Sequence, residues 1–87
     1  MQLTEGSVVR STAGHDKGSF CVVVGFRGGW PLVADGRERK LEHPKRKNPK
    51  HLAGTRERLN LNEIHGNTML RRKLWPFQYG GQPPVFE

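Results

Sequence analysis

The stretch at residues 20–26, FCVVVGF, constrains the fold most strongly, because it is apolar on both faces. Successive side chains of an extended strand point to opposite faces. One face therefore carries four apolar side chains: Phe20, Val22, Val24 and Phe26. The other face carries Cys21 and Val23. Only 33% of the 87 residues are hydrophobic, so few apolar residues remain to cover both faces. We expect this strand to lie inside a small barrel or beneath a covering segment, with the four side chains of the first face in the core.

Two shorter segments beside this stretch also have strand character. Residues 7–12, SVVRST, are short and rich in β-branched side chains, with glycines at either end. Residues 30–34, WPLVA, follow a loop with two glycines, and Pro31 is compatible only with a strand start or an edge. Both segments are predicted to pair with residues 20–26.

The next turn predicts a fourth strand. Asp35 and Gly36 form the preferred pair for a type I′ hairpin turn, in which both central residues have positive φ. This turn would lead into a strand at residues 37–42, RERKLE, with Arg37 and Arg39 on one face and Lys40 on the other. Residues 43–50, HPKRKNPK, contain two prolines and no apolar side chain, which predicts a loop, followed by a short fifth strand at residues 51–53. Short strands joined by tight turns predict an all-β fold, a small closed or half-open barrel.

The C-terminal part has a different character. NTMLRRKLW could form one short helix with Asn67 or Thr68 as its cap and with Leu70 and Leu74 one turn apart. It is predicted to end before Pro76, because proline disrupts a helix interior.

We therefore divide the chain into two parts. Residues 1–54 would form the barrel with its basic loop, and residues 55–87 a C-terminal extension that is partly helical or disordered. The closing FQYGGQPPVFE combines glycines, prolines and isolated aromatic residues, a composition that rarely orders alone.

Composition suggests the cellular setting. Cys21 is the single cysteine, and an unbridged small domain suits a reducing cytoplasm. The first residues show neither a basic leader nor an apolar run, and no apolar segment is long enough to span a membrane. We expect a cytoplasmic monomer that needs no cofactor and contacts no membrane.

The charge distribution predicts a polyanionic partner. The formal net charge is +7, and residues 37–58 hold nine basic side chains and three acidic ones. Residues 1–36 are balanced, with three of each sign. A concentrated basic segment attracts nucleic acid, although many basic surfaces are only solvated.

The polar stretch AGHDKG at residues 13–18 could be a reactive site or only a turn. Gly14 and Gly18 can supply the positive φ of a tight connection between strands. Asp16 would then bind its own turn, and His15 and Lys17 would project from the tip, where they either touch a phosphate or are solvated.

Catalysis has weak support in this stretch. The four histidines are far apart without zinc-site spacing, and adjacent His and Asp side chains in an extended segment diverge. A phosphate-binding P-loop would end in Lys-Ser or Lys-Thr and open a helix, whereas this stretch leads into a strand. We expect no enzymatic activity and no metal.

The same residues resemble a known motif. GSVVRSTAGHDKGSFCVVVGF is similar to a KOW motif in its alternating apolar positions, its turn glycine at Gly14 and the pair Lys17–Gly18 before the second strand. The continuation VADGRERKLEHPKRKNPKHLA resembles bacterial KOW-domain RNA-binding proteins, relatives of the large-subunit ribosomal KOW proteins of archaea and eukaryotes. The resemblance covers about residues 5–53. It implies an SH3-like β-barrel of KOW type, RNA binding, and association with rRNA, the ribosome or translation.

The resemblance also implies site residues. The family's basic loop falls on Lys45, Arg46, Lys47, Asn48 and Lys50. Related chains often end in a charged helical segment, whereas residues 75–87 are aromatic and proline-containing, so the role of this tail stays open.

Together these arguments predict an RNA-binding surface and a set of turn residues. The predicted RNA contacts are His15, Lys17, Arg37, Arg39, Lys40, Lys45, Arg46, Lys47, Asn48 and Lys50. The predicted turn residues are Gly14, Gly18, Asp35 and Gly36. Such a surface would contact phosphates and backbone shape more than base sequence.

Three questions stay open at this point. Trp30 either caps the core, which we favour, or stacks on an unpaired base. Residues 71–73, RRK, are either a second RNA anchor or a solvated helix face. The alternative function is an SH3-like protein-interaction module in transcription, with a polymerase or elongation-factor partner.

Overall fold

One antiparallel sheet and a C-terminal helix make up the computed structural model, which describes residues 3–78. The strands are β1 (Ser7–Ser11), β2 (Phe20–Arg27), β3 (Trp30–Ala34), β4 (Lys45–Arg46) and β5 (Leu52–Arg58). The helix α1 spans Asn67–Gln78, and two short 3-10 helices span Pro49–His51 and Leu61–Glu63. The five strands lie in the order β4-β3-β2-β1-β5, and the sheet is not closed. The prediction of a mostly β fold is thus confirmed.

The central strand β2 is buried on both sides, as its sequence predicts. Val8, Val22 and Ala34 form one apolar cluster with residues of α1. The opposite cluster consists of four buried side chains: Val9, Cys21, Val23 and Val33. Leu3 and Leu52 pack against this second cluster. Each face of β2 therefore has its own apolar cover.

Phe26 does not belong to the core, contrary to the prediction, and is 45% exposed. The register between β2 and β3 shifts between Val23 and Gly25, so Gly25 lies opposite Leu32 and Phe26 opposite Pro31. A bulge of this kind moves the following side chains to the other face. The alternation that begins at Phe20 is therefore broken before it reaches Phe26.

Helix α1 is part of the core. Leu70 and Leu74 are 0% and 1% exposed and complete the cluster around Val22. The boundary predicted at residue 54 falls inside β5, and the helix beyond it packs on the sheet. Residues 79–87, which include most of the predicted tail, lie outside the described residues.

The helix does not end before Pro76, contrary to the prediction; Pro76 lies inside its last turn. Proline cannot donate the usual helical hydrogen bond, but contacts with β2 hold the segment beyond it. The rings of Phe77 and Phe20 lie 5.9 Å apart, centroid to centroid. The Gln78 amide exchanges two hydrogen bonds of 3.2 Å with the backbone N–H and C=O of Phe20.

The predicted helix cap was also wrong. The N–H of Leu70 donates to the carbonyl of Gly66, which precedes the helix. The Asn67 amide instead accepts from the N–H of Leu41 at 2.8 Å and donates to the Glu42 carboxylate at 2.7 Å. These bonds tie the start of α1 to the loop after β3.

That loop replaces the predicted fourth strand at residues 37–42. Asp35 does not have positive φ, so the predicted type I′ turn does not form. Its carboxylate accepts from the N–H groups of Arg37 and Arg39 at 2.8 and 2.9 Å and closes a compact loop. A Cβ added at Gly36 would lie 2.5 Å from the Asn67 carbonyl oxygen, so only glycine lets this loop approach the helix.

The fourth strand lies later, within the segment predicted to be a loop. Lys45 and Arg46 pair with Val33 and Leu32 of β3. The 3-10 turn Pro49–His51 follows, and the chain then enters β5, which extends to Arg58 rather than ending at residue 53. Residues 45–50, KRKNPK, which we call the basic segment, thus include one outermost strand of the sheet and lead into the other.

We predict that Leu70→Ala destabilises the protein by about 2–5 kcal/mol, because it removes a fully buried side chain from the core. Met69→Ala is the matched control, since Met69 lies in the same helix and is 37% exposed. It should change the free energy of unfolding by no more than about 0.5 kcal/mol. Urea unfolding measures both variants, and equal effects would contradict the placement of α1 in the core.

Candidate nucleic-acid interface

The loop between β1 and β2, residues 12–19, is a tight turn that depends on two glycines, and we call it the glycine turn. Gly14 and Gly18 have φ values of 84° and 91°, a region that other residues rarely adopt. The N–H of Gly18 donates to the Ser11 carbonyl at 2.7 Å, and the N–H of Lys17 donates to the Gly14 carbonyl at 3.2 Å. His15 and Lys17 are exposed at the tip.

An ion pair joins this turn to the basic segment. The Lys47 ammonium lies 3.1 and 3.3 Å from the two carboxylate oxygens of Asp16, and it donates to the Ser11 hydroxyl at 3.2 Å. The same hydroxyl donates to Asp16 at 3.0 Å. Lys47 is only 8% exposed, and β4 is thereby fixed beside the turn.

Asp16 was expected to bind its own turn, and its carboxylate does accept a backbone hydrogen bond there. It also bonds to Ser11 and Lys47, which the sequence did not predict. Lys47 was predicted to contact RNA, but its ammonium points into the protein. The sequence shows lysine in a basic run and gives no sign that this one is buried, because its partner is 31 positions away.

The environment of Asp16 favours its charged form. Burial raises the pKa of this carboxyl group, but the hydrogen bonds from Lys47 and Ser11 and the Lys47 charge outweigh that effect. The pKa of Asp16 is therefore lowered from its ordinary value. At neutral pH the carboxylate is ionised and neutralised from within the protein.

A cleft of about 330 Å³ lies between the turn and the loop after β3. His15, Arg39 and Lys45 are among the residues that line it. The carboxylates of Asp16 and Asp35 also border the cleft, but the first bonds to Lys47 and the second to backbone N–H groups. Glu38 is a third carboxylate on this wall. The structure therefore brings the turn, the loop and β4 together around one wall of mixed charge.

The remaining predicted contacts are distributed around this cleft. Lys45, Arg46 and Lys50 are exposed along the basic segment, and Lys45 and Lys50 form no ion pair with any residue in 3–78. Asn48 has a structural role, because its side chain accepts from the N–H of Lys50 at 2.9 Å and caps the 3-10 turn.

The loop after β3 places its own cations differently. Arg37 and Lys40 are exposed, and Arg39 is half-buried. They do not lie on opposite faces of a strand, as the alternating pattern predicts, because no strand forms there. Arg37 lines a cavity beside α1 rather than the cleft.

Trp30 does not cap the core, contrary to the interpretation that we favoured. It is 40% exposed at the start of β3, and the Arg46 guanidinium lies 5.2 Å from the centroid of its ring. This distance is within the range of a cation–π contact. The pair could not be found from sequence, because it depends on the pairing of β4 with β3.

Cys21 lies on the opposite side of the sheet from α1. Burial raises the pKa of its thiol to about 12. The thiol is therefore protonated at neutral pH and a poor nucleophile.

Within the described range of the chain, no group of three or more His, Cys, Asp or Glu side chains is arranged to hold a metal ion. Of the helical segments in residues 3–78, none has the length and apolar character needed to cross a membrane.

No protein-family model matches the sequence, and no curated protein is similar enough to it to count as a relative. Function is therefore inferred from the contacts described above.

The Asp16–Lys47 pair predicts a defined pH dependence. Because the pKa of Asp16 is lower in the folded chain, the pair contributes its full stability above the unfolded pKa of about 3.9. This contribution is lost as the pH falls through the folded value. Asp16→Asn should reduce the free energy of unfolding by about 1–3 kcal/mol at pH 7, since it leaves a buried ammonium without its charged partner.

Urea unfolding of the wild type and the variant at a series of pH values tests this prediction. The difference between the two proteins should shrink as the pH falls below the unfolded pKa of Asp16. Glu38→Gln, at an exposed carboxylate, is the control and should leave the free energy of unfolding nearly unchanged. A difference that stays constant down to the lowest pH would contradict the role of the Asp16 charge.

Proposed function

We propose that this protein is a non-catalytic RNA-binding protein of KOW type, and that it holds structured RNA against the basic segment, residues 45–50, which includes β4 and leads into β5. The observation that carries the proposal is the ion pair between Lys47 and Asp16, which fixes the exposed Lys45 beside the glycine turn that carries His15 and Lys17. RNA is a polyanion, and neutralising its phosphates releases counterions and favours binding.

The topology supports an SH3-like barrel of the kind that KOW domains form. The strand order β4-β3-β2-β1-β5 is typical of such barrels, as is the 3-10 turn that joins β4 to β5 in the chain. The sheet is open, so we propose a barrel that is only partly closed. In this arrangement β1, β2 and the connecting glycine turn correspond to the KOW-like stretch of the sequence.

The basic segment is held in shape before any ligand binds. Pro49 opens the 3-10 turn, Asn48 caps it, and Lys47 anchors the segment to Asp16. A preordered surface loses less conformational entropy on binding than a flexible one. The exposed cations on it can contact phosphates without disturbing the fold.

The setting that we propose is the translation apparatus. The KOW-like turn and the segment HPKRKNPKHL resemble proteins associated with the ribosome, and rRNA is the structured RNA of that assembly. The protein would act there in the cytoplasm, as a monomer without a cofactor. Binding would depend on backbone geometry and phosphates rather than on an extended base sequence.

An alternative is a protein-interaction module in transcription. Its support is the exposure of two large aromatic side chains, Phe26 and Trp30, at 45% and 40%. A peptide-binding surface of this kind would depend on those aromatic residues and respond weakly to salt. An RNA-binding surface would depend on Lys45 and respond strongly to salt.

A charge reversal on the basic segment tests the proposal. Lys45→Glu should weaken binding to a structured RNA hairpin by about tenfold or more, and should reduce the slope of log affinity against log salt by about 0.7–0.9. Lys73→Glu is the matched control, because it makes the same change at an exposed position of α1. Fluorescence anisotropy at several salt concentrations measures both variants.

Two outcomes would contradict the proposal. One is equal loss of affinity in Lys45→Glu and Lys73→Glu, which would indicate that the basic segment is not the preferred binding surface. The other is wild-type binding that hardly changes with salt. Sedimentation of the tagged protein in a lysate, with and without RNase, tests the ribosomal setting separately, since RNase-sensitive migration with a ribosomal subunit is the expected result.

A further inference from the structure

We infer that Trp30 and Arg46 form a stacking site for one unpaired base of the bound RNA. This inference rests on the proposed function and specifies the ligand further: RNA with a nucleotide outside a helical stack, rather than a continuous duplex. The stacking site differs in its chemistry from the rest of the basic segment, because its ligand is the flat face of a base and not a phosphate.

The position of Trp30 first suggests such a site. Trp30 is the first residue of β3 and pairs with Arg27 across the β2–β3 hairpin. It is 40% exposed, although indole rings are usually covered in folded proteins. Its place in the sheet fixes its backbone, so the ring is presented from a rigid element.

Arg46 lies over the exposed indole of Trp30 and forms the second part of the site. Its guanidinium carbon lies 5.2 Å from the ring centroid, so a flat cation covers part of one ring face. Guanidinium planes stack on bases as well as on aromatic side chains. The pair is therefore ordered before binding, which lowers the entropy lost when a base joins the stack.

The neighbouring turn leaves the site accessible. Gly28 and Gly29 form the β2–β3 turn, with φ values of 59° and 82°. Apart from the adjacent residues of the chain, no heavy atom of residues 3–78 lies within 4 Å of a Cβ built on Gly29, and the nearest to one built on Gly28 is a guanidinium nitrogen of Arg46 at 4.0 Å. The turn thus adds no side chain that would crowd the indole.

The surrounding charge favours a nucleotide as the occupant. Arg27, which pairs with Trp30, and Arg46 are both exposed on the neighbouring strands, and neither forms an ion pair with another residue in 3–78. A nucleotide offers both a π-face and a phosphate, which together match this set. Bases within a duplex are already stacked, so only an unpaired base can reach the indole.

The test compares two RNAs and uses Trp30 as its own reporter. The RNAs are a continuous hairpin, whose two strands are joined by a non-nucleotide linker so that every base is paired, and the same hairpin with one bulged nucleotide. The chain has two tryptophans, so Trp75→Phe leaves Trp30 as the single indole. In this background, the bulged RNA should bind about 5- to 100-fold more tightly than the continuous hairpin and should quench the Trp30 fluorescence.

Three variants then separate stacking from charge. Trp30→Ala should lose the preference for the bulge but keep its affinity for the continuous hairpin, which also shows that it is folded. Arg46→Lys should weaken the preference for the bulged RNA but retain the salt dependence of binding. Lysine keeps the positive charge but lacks the planar guanidinium group that stacks. Trp30→Phe should retain part of the preference.

The possible failures can be told apart. Equal affinity for both RNAs in the protein with Trp30, or a preference that survives in Trp30→Ala, would overturn the stacking site while leaving the proposed function intact. Binding to neither RNA would overturn both. Loss of affinity for the continuous hairpin in Trp30→Ala, with an unchanged unfolding midpoint, would also contradict the inference, because it would assign Trp30 to a surface that does not distinguish unpaired bases.

Discussion

Strand β2 must be covered on both faces, and the rest of the structure follows from that constraint. Helix α1 covers one face through Leu70 and Leu74. The second face is covered where the sheet brings Val9 and Val33 against Val23, with Leu52 packed beside them. Leu52 begins β5, so the chain must first cross from β4 at one edge of the sheet to β5 at the other. The segment that makes this crossing is the basic one.

The ion pair between Lys47 and Asp16 fixes the position of the basic segment on the protein surface. It places one lysine of the basic segment inside the protein, and its neighbours Lys45 and Arg46 remain outside. It also satisfies an acidic side chain that would otherwise repel a polyanion. This contact therefore holds β4 and the glycine turn together at the cleft.

The pattern of neighbouring residues was sufficient to predict much of this fold. It failed where contacts between residues far apart in the sequence determine the structure. The alternating faces of β2, the glycine turn and the paired leucines of α1 are properties of neighbouring residues, and they could be predicted. The alternation of residues 37–42 predicts a strand, but Asn67 bonds to Leu41 and Glu42, and Arg71 bonds to Gly36 just before them, so the segment is held as a loop. Likewise, the burial of Lys47 and the exposure of Trp30 depend on partners in other strands. The sequence therefore indicated which segment carries the charge, but not which of its side chains face solvent.

An NMR titration of the ¹⁵N-labelled protein with a structured RNA tests the central claim most directly. The account predicts that the largest amide shifts fall on the tip of the glycine turn and on β4, at His15, Lys17, Lys45 and Arg46. It also predicts that the exposed face of α1, including Lys73, is little affected. Shifts concentrated on α1 or β5, with β4 and the turn unchanged, would contradict it.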